Sequence, residues 1–171
     1  MLELTILGFL SEGALHGYEL KRRVTHLTGY ARPVSDGTLY PAIKRMHRAG
    51  LIDRTEESGA GPTRFVLTIT DSGRSELATR LAAPADQDIT DFSRFAVILA
   101  FLSQLPDRDA RHAVLSRRLA FLEEPASFFY DDRRALRAED VTDTYRQGLL
   151  TVARATSRAE RRWLREVIAG K

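Results

Sequence analysis

The chain of 171 residues contains no cysteine. This excludes disulfides, iron–sulfur clusters, cysteine-ligated zinc and a thiol nucleophile, and it suits the reducing cytoplasm, where we expect the protein to act. Long hydrophobic runs are also lacking. The longest, residues 95–102, has eight residues, whereas a membrane-spanning helix needs about 20, so no membrane association is predicted. The N-terminus has no basic segment ahead of its apolar stretch and predicts no secretory signal.

Motifs for catalysis and metal binding are lacking as well. The four histidines, His16, His26, His47 and His112, form no pair at the i+3 or i+4 spacing of helical metal ligands. We therefore predict neither a metal nor another cofactor. The sequence has no phosphate-binding glycine loop, no dinucleotide fingerprint and no nucleophile-elbow motif, so the protein is predicted not to be an enzyme.

The chain does have a small excess of positive charge, with 26 Lys and Arg against 23 Asp and Glu, for a net charge of +3. Basic residues cluster at 21–23 and again at 44, 45 and 48. Such clusters favour nucleic-acid binding modestly. A solvated helix face is the alternative that charge alone leaves open.

Residues 1–83 predict three helices, a hairpin and a fourth helix. Apolar residues at three- and four-residue spacing mark the helices, Gly29 and Gly50 end the second and third, and Thr70 is a candidate N-cap for the fourth. The predicted helices lie at about 2–11, 17–28, 35–49 and 70–83, and the strands at 51–56 and 63–68. This is the order of a winged helix-turn-helix, in which the second helix of the motif enters the major groove of DNA.

The third helix is the predicted recognition helix, and its start is ambiguous. If Ser35 is the N-cap, Pro41 removes one hydrogen bond from the early helix. If Thr38 is the N-cap, Pro41 lies in the first turn and costs little. Hydroxyls and cations suit phosphate contacts, and the outward positions that supply them are Thr38, Tyr40, Lys44 and Arg45, joined in the wing by Arg54 and Arg64.

Five segments carry a more specific resemblance: LHGYEL (15–20), GTLYPAIKRM (37–46), AGLI (49–52), GPTRFVLT (61–68) and LTITDSGRSEL (67–77). They resemble the PadR family of bacterial transcriptional regulators, over about half of the chain. The resemblance implies a homodimeric repressor that binds double-stranded DNA at an inverted-repeat operator. The DNA-binding residues that it implies, together with the outward helix positions, are Tyr18, Lys21, Ser35, Gly37, Thr38, Tyr40, Pro41, Lys44, Arg45 and Arg64.

Two positions depart from the family pattern. Asp36 stands where the family often has proline, and Phe65 stands where it often has tyrosine. Phe65 keeps the packing and loses a hydroxyl. A carboxylate near the phosphates is expected to weaken DNA binding or to tune base preference.

Residues 84–171 are predicted to form a separate helical domain for dimerisation and effector binding, so the expected fold is mainly α with a two-stranded wing. Residues 84–89 predict a short polar link, and a last helix is predicted at about 139–169. Its apolar stripe consists of Tyr145, Leu149, Val152, Thr156, Ala159, Trp163 and Val167. A stripe of this length is typical of helix pairing across a dimer. An intramolecular bundle is the alternative, and the helix with Phe92, Phe95 and Leu99 is a second candidate interface.

The resemblance also implies a ligand, because some family members release DNA on binding small aromatic effectors. Phe92, Phe95, Tyr145 and Trp163 are the candidate effector-binding residues, with ordinary core packing as the alternative. Two functions of other classes stay open at this point: a winged helix used only for protein–protein contact, and a nonspecific nucleic-acid binder.

Overall fold

The computed structural model describes residues 1–29, 34–57 and 64–170, and for Arg64 the backbone alone. The chain forms two compact units, Met1–Arg111 and His112–Lys171. The elements that lie wholly in the first unit are α1 (Leu2–Glu12), β1 (Leu15–His16), α2 (Gly17–Thr28), α3 (Asp36–Arg48), β2 (Ile52–Glu57), β3 (Arg64–Ile69), α4 (Asp71–Ala82), α5 (Asp86–Thr90) and α6 (Phe92–Phe101). A 3₁₀ turn over Leu102–Gln104 follows α6.

The predicted winged helix-turn-helix is confirmed in the first unit. Helix α1 lies at its centre and packs against α2, α3, α4 and β3. Because it is covered on several sides, α1 buries most of its length, including Ile6 and Leu7, both 0% exposed. Burial of such a side chain contributes about 1.5–3 kcal/mol, so α1 is the scaffold that fixes α2 and α3.

Strands β2 and β3 form the predicted two-stranded wing. In the part of the chain that the structure describes, the short strand β1 extends this sheet to three strands, in the order β1-β3-β2. Strands β2 and β3 pair antiparallel from Ile52↔Ile69 to Glu57↔Arg64, and β1 adds the pair Leu15↔Leu67. The two residues of β1 are too few to show an alternating pattern in sequence. Burial of Leu15 and Leu67 accompanies the pairing.

Helix α4 begins where the sequence predicts. The side chain of Thr70 accepts a hydrogen bond from the backbone N–H of Gly73 at 3.0 Å, which confirms Thr70 as the N-cap. Gly73 lies so close to the carbonyl oxygen of Leu51 that a Cβ on it would overlap that atom. The glycine therefore lets the first turn of α4 approach the chain that leads into β2.

The first unit extends beyond residue 83, where the predicted DNA-binding domain ended. The predicted polar link at 84–89 overlaps α5, whose Ile89 is buried. Further along, the ring of Phe101 packs on Gly8 and meets Phe9 edge-to-face, with ring centroids 5.0 Å apart. Helix α6 therefore belongs to the same core as α1.

The second unit consists mainly of α7 (Arg108–Glu123), which begins in the first unit, and α8 (Thr144–Ile168). Between them lie a short antiparallel ladder of β4 (Tyr130–Asp131) with β5 (Arg134–Ala135) and a 3₁₀ turn over Ala138–Asp140. The ladder was not predicted. Helix α8 begins later than predicted because Asp143 caps it, accepting from the N–H of Arg146 at 2.8 Å. Among the described residues, no helix is long and apolar enough to cross a membrane.

Candidate nucleic-acid interface

Helix α3 presents one face to the core and the other to solvent. Its buried residues are Leu39, Ala42, Ile43 and Met46. This spacing places Tyr40, Lys44 and His47 together on the outer side, each about one turn from the next, and all three are exposed. The outward placement predicted for Tyr40 and Lys44 is confirmed. His47 was not predicted, although its i+3 distance from Lys44 is a signal that would have found it.

The start of α3 settles the ambiguity left by the sequence. Ser35 is the N-cap residue, and its carbonyl accepts the N–H groups of Thr38 and Leu39 at 3.0 and 2.9 Å. Pro41 therefore lies inside the helix and has no N–H for the carbonyl of Gly37. The Ser35 hydroxyl does not cap the helix but forms a 2.9 Å hydrogen bond with that of Thr38. Two exposed hydroxyls thus stand together at the positive end of the helix.

The outer face of α3, the start of α2 and the sheet enclose a groove of about 880 Å³. Its lining residues are His16, Gly17, Tyr18, Glu19, Tyr40, Ile43, Lys44, His47, Arg54, Phe65 and Leu67. Buried Ile43 and Leu67 form its floor, whereas Tyr18 is 73% exposed and Tyr40 49%. The predicted residues Tyr18, Tyr40 and Lys44 therefore meet in one concave surface.

On the sheet side of this groove, the guanidinium of Arg54 lies over the ring of Phe65, with its central carbon 3.4 Å from the ring centroid. The strand register explains the contact. Arg54 pairs with Leu67 and Glu56 with Phe65, so Arg54 and Phe65 are diagonal neighbours on one face of the sheet. The stacking holds a permanent positive charge beside α3.

The carboxylate of the groove is paired with arginines of its own helix. Glu19 accepts from Arg23 at 3.0 Å and from Arg22 at 2.9 Å. The hydrogen bond from Arg23 is the largest cause that holds the pKa of Glu19 below its usual value. Glu19 is thus ionised at neutral pH, and its charge is offset locally.

Lys21 and Asp36 form an ion pair across the two helices of the motif, with Nζ and Oδ1 2.7 Å apart. The hydrogen bond to Asp36 is the largest cause that raises the pKa of Lys21 above its usual value, and the phenols of Tyr40 and Tyr18 act in the same direction. The predicted DNA-binding residue Lys21 is therefore charged, but its charge is already matched by a carboxylate.

Arg45 lies apart from the groove. Its guanidinium donates to Glu3 of α1 at 3.0 Å, and Glu3 also lies 3.6 Å from Arg80 of α4. The side chain of Arg45 is nevertheless 62% exposed. The structure thus places this predicted DNA-binding residue in an ion-pair cluster that joins α3 to α1 and α4.

The remaining predicted site residues are Arg64 and the four candidate effector residues. The side chain of Arg64 and the turn at 58–63 lie outside the described residues. Of the four candidate effector residues, Phe95 is fully buried in the first unit and is a core residue. Tyr145 and Trp163 lie on α8, where 18 residues correspond to about 27 Å along the axis, so they do not line one small site within a chain.

An exposed α3, the groove beside it and a paired hairpin define a winged helix-turn-helix protein. Comparison with known proteins gives its family. Residues 6–79 match the transcriptional regulator PadR-like family. The chain is 33% identical over 144 residues to the probable transcriptional regulator Rv1176c of Mycobacterium tuberculosis. The aligned region covers 82% of this chain and 71% of that protein.

A second relative is the negative transcriptional regulator PadR of Bacillus subtilis, 29% identical over 128 residues, 72% of this chain and 70% of that protein. The crystal structure of B. subtilis PadR in complex with operator DNA is similar at a TM-score of 0.45 and 24% identity, covering 99% of this chain and 97% of that one. The chain belongs to the PadR-like family of transcriptional regulators, as its motifs predict.

Proposed function

We propose that the protein is a sequence-specific DNA-binding repressor that acts as a homodimer on an inverted-repeat operator. The single observation that carries the proposal is the outer face of α3, where Tyr40 and Lys44 project beside the groove. A helix so exposed, with its N-terminal end open and small residues such as Gly37 at its start, suits entry into a major groove. The family membership and the name of the B. subtilis relative support repression.

The contacts are assigned by chemistry. Hydroxyls at the start of α3, those of Ser35, Thr38 and Tyr40, are suited to phosphate oxygens. Lys44, one turn further along the outer face, is the candidate for a base edge, since lysine donates to the acceptors of guanine. Arg54 and, from the resemblance, Arg64 supply cations on the wing side.

The homodimer is supported by the surface of α8. The predicted stripe is exposed in the single chain, with Tyr145 at 89%, Val152 at 66%, Leu149 at 45% and Trp163 at 41%. Exposed apolar side chains in a row mark an interaction surface. A second copy is the occupant we propose, because one winged helix reads only a few base pairs, whereas two related by a twofold axis read both halves of an inverted repeat.

Release by a small aromatic effector stays part of the proposal, with residues of the α8 stripe contributing only if two copies bring them together. The site of action that we propose is the cytoplasm, where a bacterial operator is found. Neither proposal changes the assignment of the α3 surface.

The test is binding of the purified full chain to the DNA upstream of its own coding region, titrated against random duplex at a fixed salt concentration. A specific regulator prefers its site by about 10³-fold or more. Equal affinity for both duplexes would identify a nonspecific binder. No binding to either would favour a winged helix used for protein–protein contact.

A further inference from the structure

We propose that Asp36 lowers the affinity of the protein for DNA, because it holds the ammonium of Lys21 in an ion pair in the free protein. The inference rests on the proposed function, because it concerns the tuning of the same surface. Asp36 is the first residue of α3, and Lys21 lies on α2 four residues after Gly17. The two side chains meet at 2.7 Å, where both helices of the motif come together.

The pair lies next to residues of the proposed interface. A Cβ on Gly17 would lie 3.5 Å from Cε1 of Tyr40, so the ring of Tyr40 covers the start of α2. Tyr18, at the next position, is the most exposed aromatic side chain of the groove. Both tyrosines act electrostatically on Lys21, and the proposed function assigns one of them, Tyr40, to DNA.

Exposure shows which partner faces the solvent. The Asp36 side chain is 64% exposed, whereas that of Lys21 is 34% exposed. An approaching phosphate thus meets a carboxylate first and a matched cation behind it. Contact between a phosphate and Lys21 requires the ammonium to leave Asp36. The free energy of the ion pair is then lost on binding, and this loss opposes it.

Lys44 provides the contrast. Within the part of the chain that the structure describes, no ion pair involves Lys44, so its charge needs no release. Proline at position 36 would leave Lys21 without the carboxylate of Asp36, so its charge would be as available as that of Lys44. The aspartate therefore lowers affinity without removing the cation.

The experiment is a double-mutant cycle on the full chain: wild type, Asp36→Asn, Lys21→Met and the double variant, each bound to operator and to random duplex over a range of salt concentrations. We expect Asp36→Asn to bind both duplexes about two- to fivefold more tightly, the range of an exposed ion pair. The slope of log affinity against log salt should steepen by up to about 0.9, the value of one phosphate contact. In the Lys21→Met background most of this gain should disappear.

Asp71→Asn is the matched control, because Asp71 is the first residue of α4 as Asp36 is of α3. It makes the same change of charge at the same helix position and should give no comparable gain. Thermal unfolding of each variant confirms that it is folded.

Three results would overturn the inference. The first is no gain of DNA affinity from Asp36→Asn. The second is an equal gain of affinity with and without Lys21, which would mean that Asp36 repels the phosphates directly. The third is a loss of affinity confined to the operator, which would mean that Asp36 contacts a base. Failure of the proposed function looks different. If wild type and all variants bind neither duplex, the proposed function fails and the inference about Asp36 fails with it. If they bind both duplexes without preference for the operator, only the sequence-specific part of the proposed function fails.

Discussion

Arg118 of α7 is bound by Glu160 of α8 through two hydrogen bonds, from Nε to Oε1 at 2.7 Å and from Nη2 to Oε2 at 3.1 Å. The arginine is only 3% exposed and the glutamate 13%. A charge so deeply buried is stable only while its partner is present. This pair therefore fixes the two long helices of the second unit against each other.

The first prediction concerns this pair. Glu160→Gln removes the carboxylate that accepts two hydrogen bonds from the buried guanidinium and should lower the free energy of unfolding by up to about 3–5 kcal/mol. Chemical unfolding of the full chain, followed by circular dichroism, measures the loss. Glu123→Gln is the control, because Glu123 pairs with Arg165 on the same two helices but at the surface, where a pair contributes about 0–1 kcal/mol. Similar losses for both variants would show that burial of Arg118 is not what matters.

Long-range contacts of this kind could not be predicted from the sequence. The starts and ends of local elements could be predicted, because Thr70 and Gly50 act within a few residues of their own positions. Gly50 has φ 69°, and the N–H groups of Gly50 and Leu51 bond back to His47 and Met46, both at 3.0 Å. That arrangement ends α3 in the manner a glycine allows.

The pairing of Arg118 with Glu160, 42 residues away, has no local signature, and neither has that of Arg45 with Glu3. Both depend on how helices pack after they form. The same is true of the first unit's extent. The ring of Phe101 fills the space above Gly8, and nothing in the local pattern of α6 indicates its partner. The exposed positions of α3, such as Tyr40 and Lys44, could be predicted because they lie on one periodic face.

The second prediction separates the two roles assigned on α3. Lys44→Ala should reduce the preference for operator over random duplex by about 1–3 kcal/mol, as expected for loss of a base contact. Tyr40→Phe should weaken binding to both duplexes to the same extent, because it removes a phosphate contact. Fluorescence titration with both duplexes measures each affinity. Parallel losses for the two variants on both duplexes would contradict the assignment.

The third prediction concerns Arg45, which the sequence grouped with Lys44. Its guanidinium is engaged by Glu3 at 3.0 Å, so Arg45→Ala should reduce DNA affinity less than Lys44→Ala does. The stability change should be small, about 0–1 kcal/mol, since the pair is exposed. The same titrations, with thermal unfolding of both variants, provide the comparison. A larger loss of affinity from Arg45→Ala would return this residue to the DNA interface.

The fourth prediction concerns Gly73. A methyl group there would overlap the carbonyl oxygen of Leu51, so Gly73→Ala should force α4 to shift and cost about 1–3 kcal/mol of stability. Gly148→Ala is the control within α8, where none of the residues that the structure describes lies within 4 Å of the added carbon. That variant should be stabilised by about 0.5–1 kcal/mol through helix propensity. Opposite shifts of the unfolding midpoint are the expected result, and a stabilised Gly73→Ala would show that the contact relaxes freely.

The last prediction concerns the dimer. If the α8 stripe pairs two copies, a charge placed in it should separate them, whereas the same charge elsewhere on the exposed surface of α8 should not. Val152 is in the stripe and 66% exposed. Thr151 is its neighbour and is also exposed, but a helix turns about 100° per residue, which directs Thr151 away from the stripe.

Val152→Glu should therefore give a monomer that keeps its helical content and binds operator far more weakly, because the two half-sites are no longer bound together. Thr151→Glu should remain a dimer with unchanged affinity. Light scattering after size exclusion measures the mass of each variant. A dimeric Val152→Glu protein would place the interface elsewhere, with α6 and its exposed Phe92 as the next candidate.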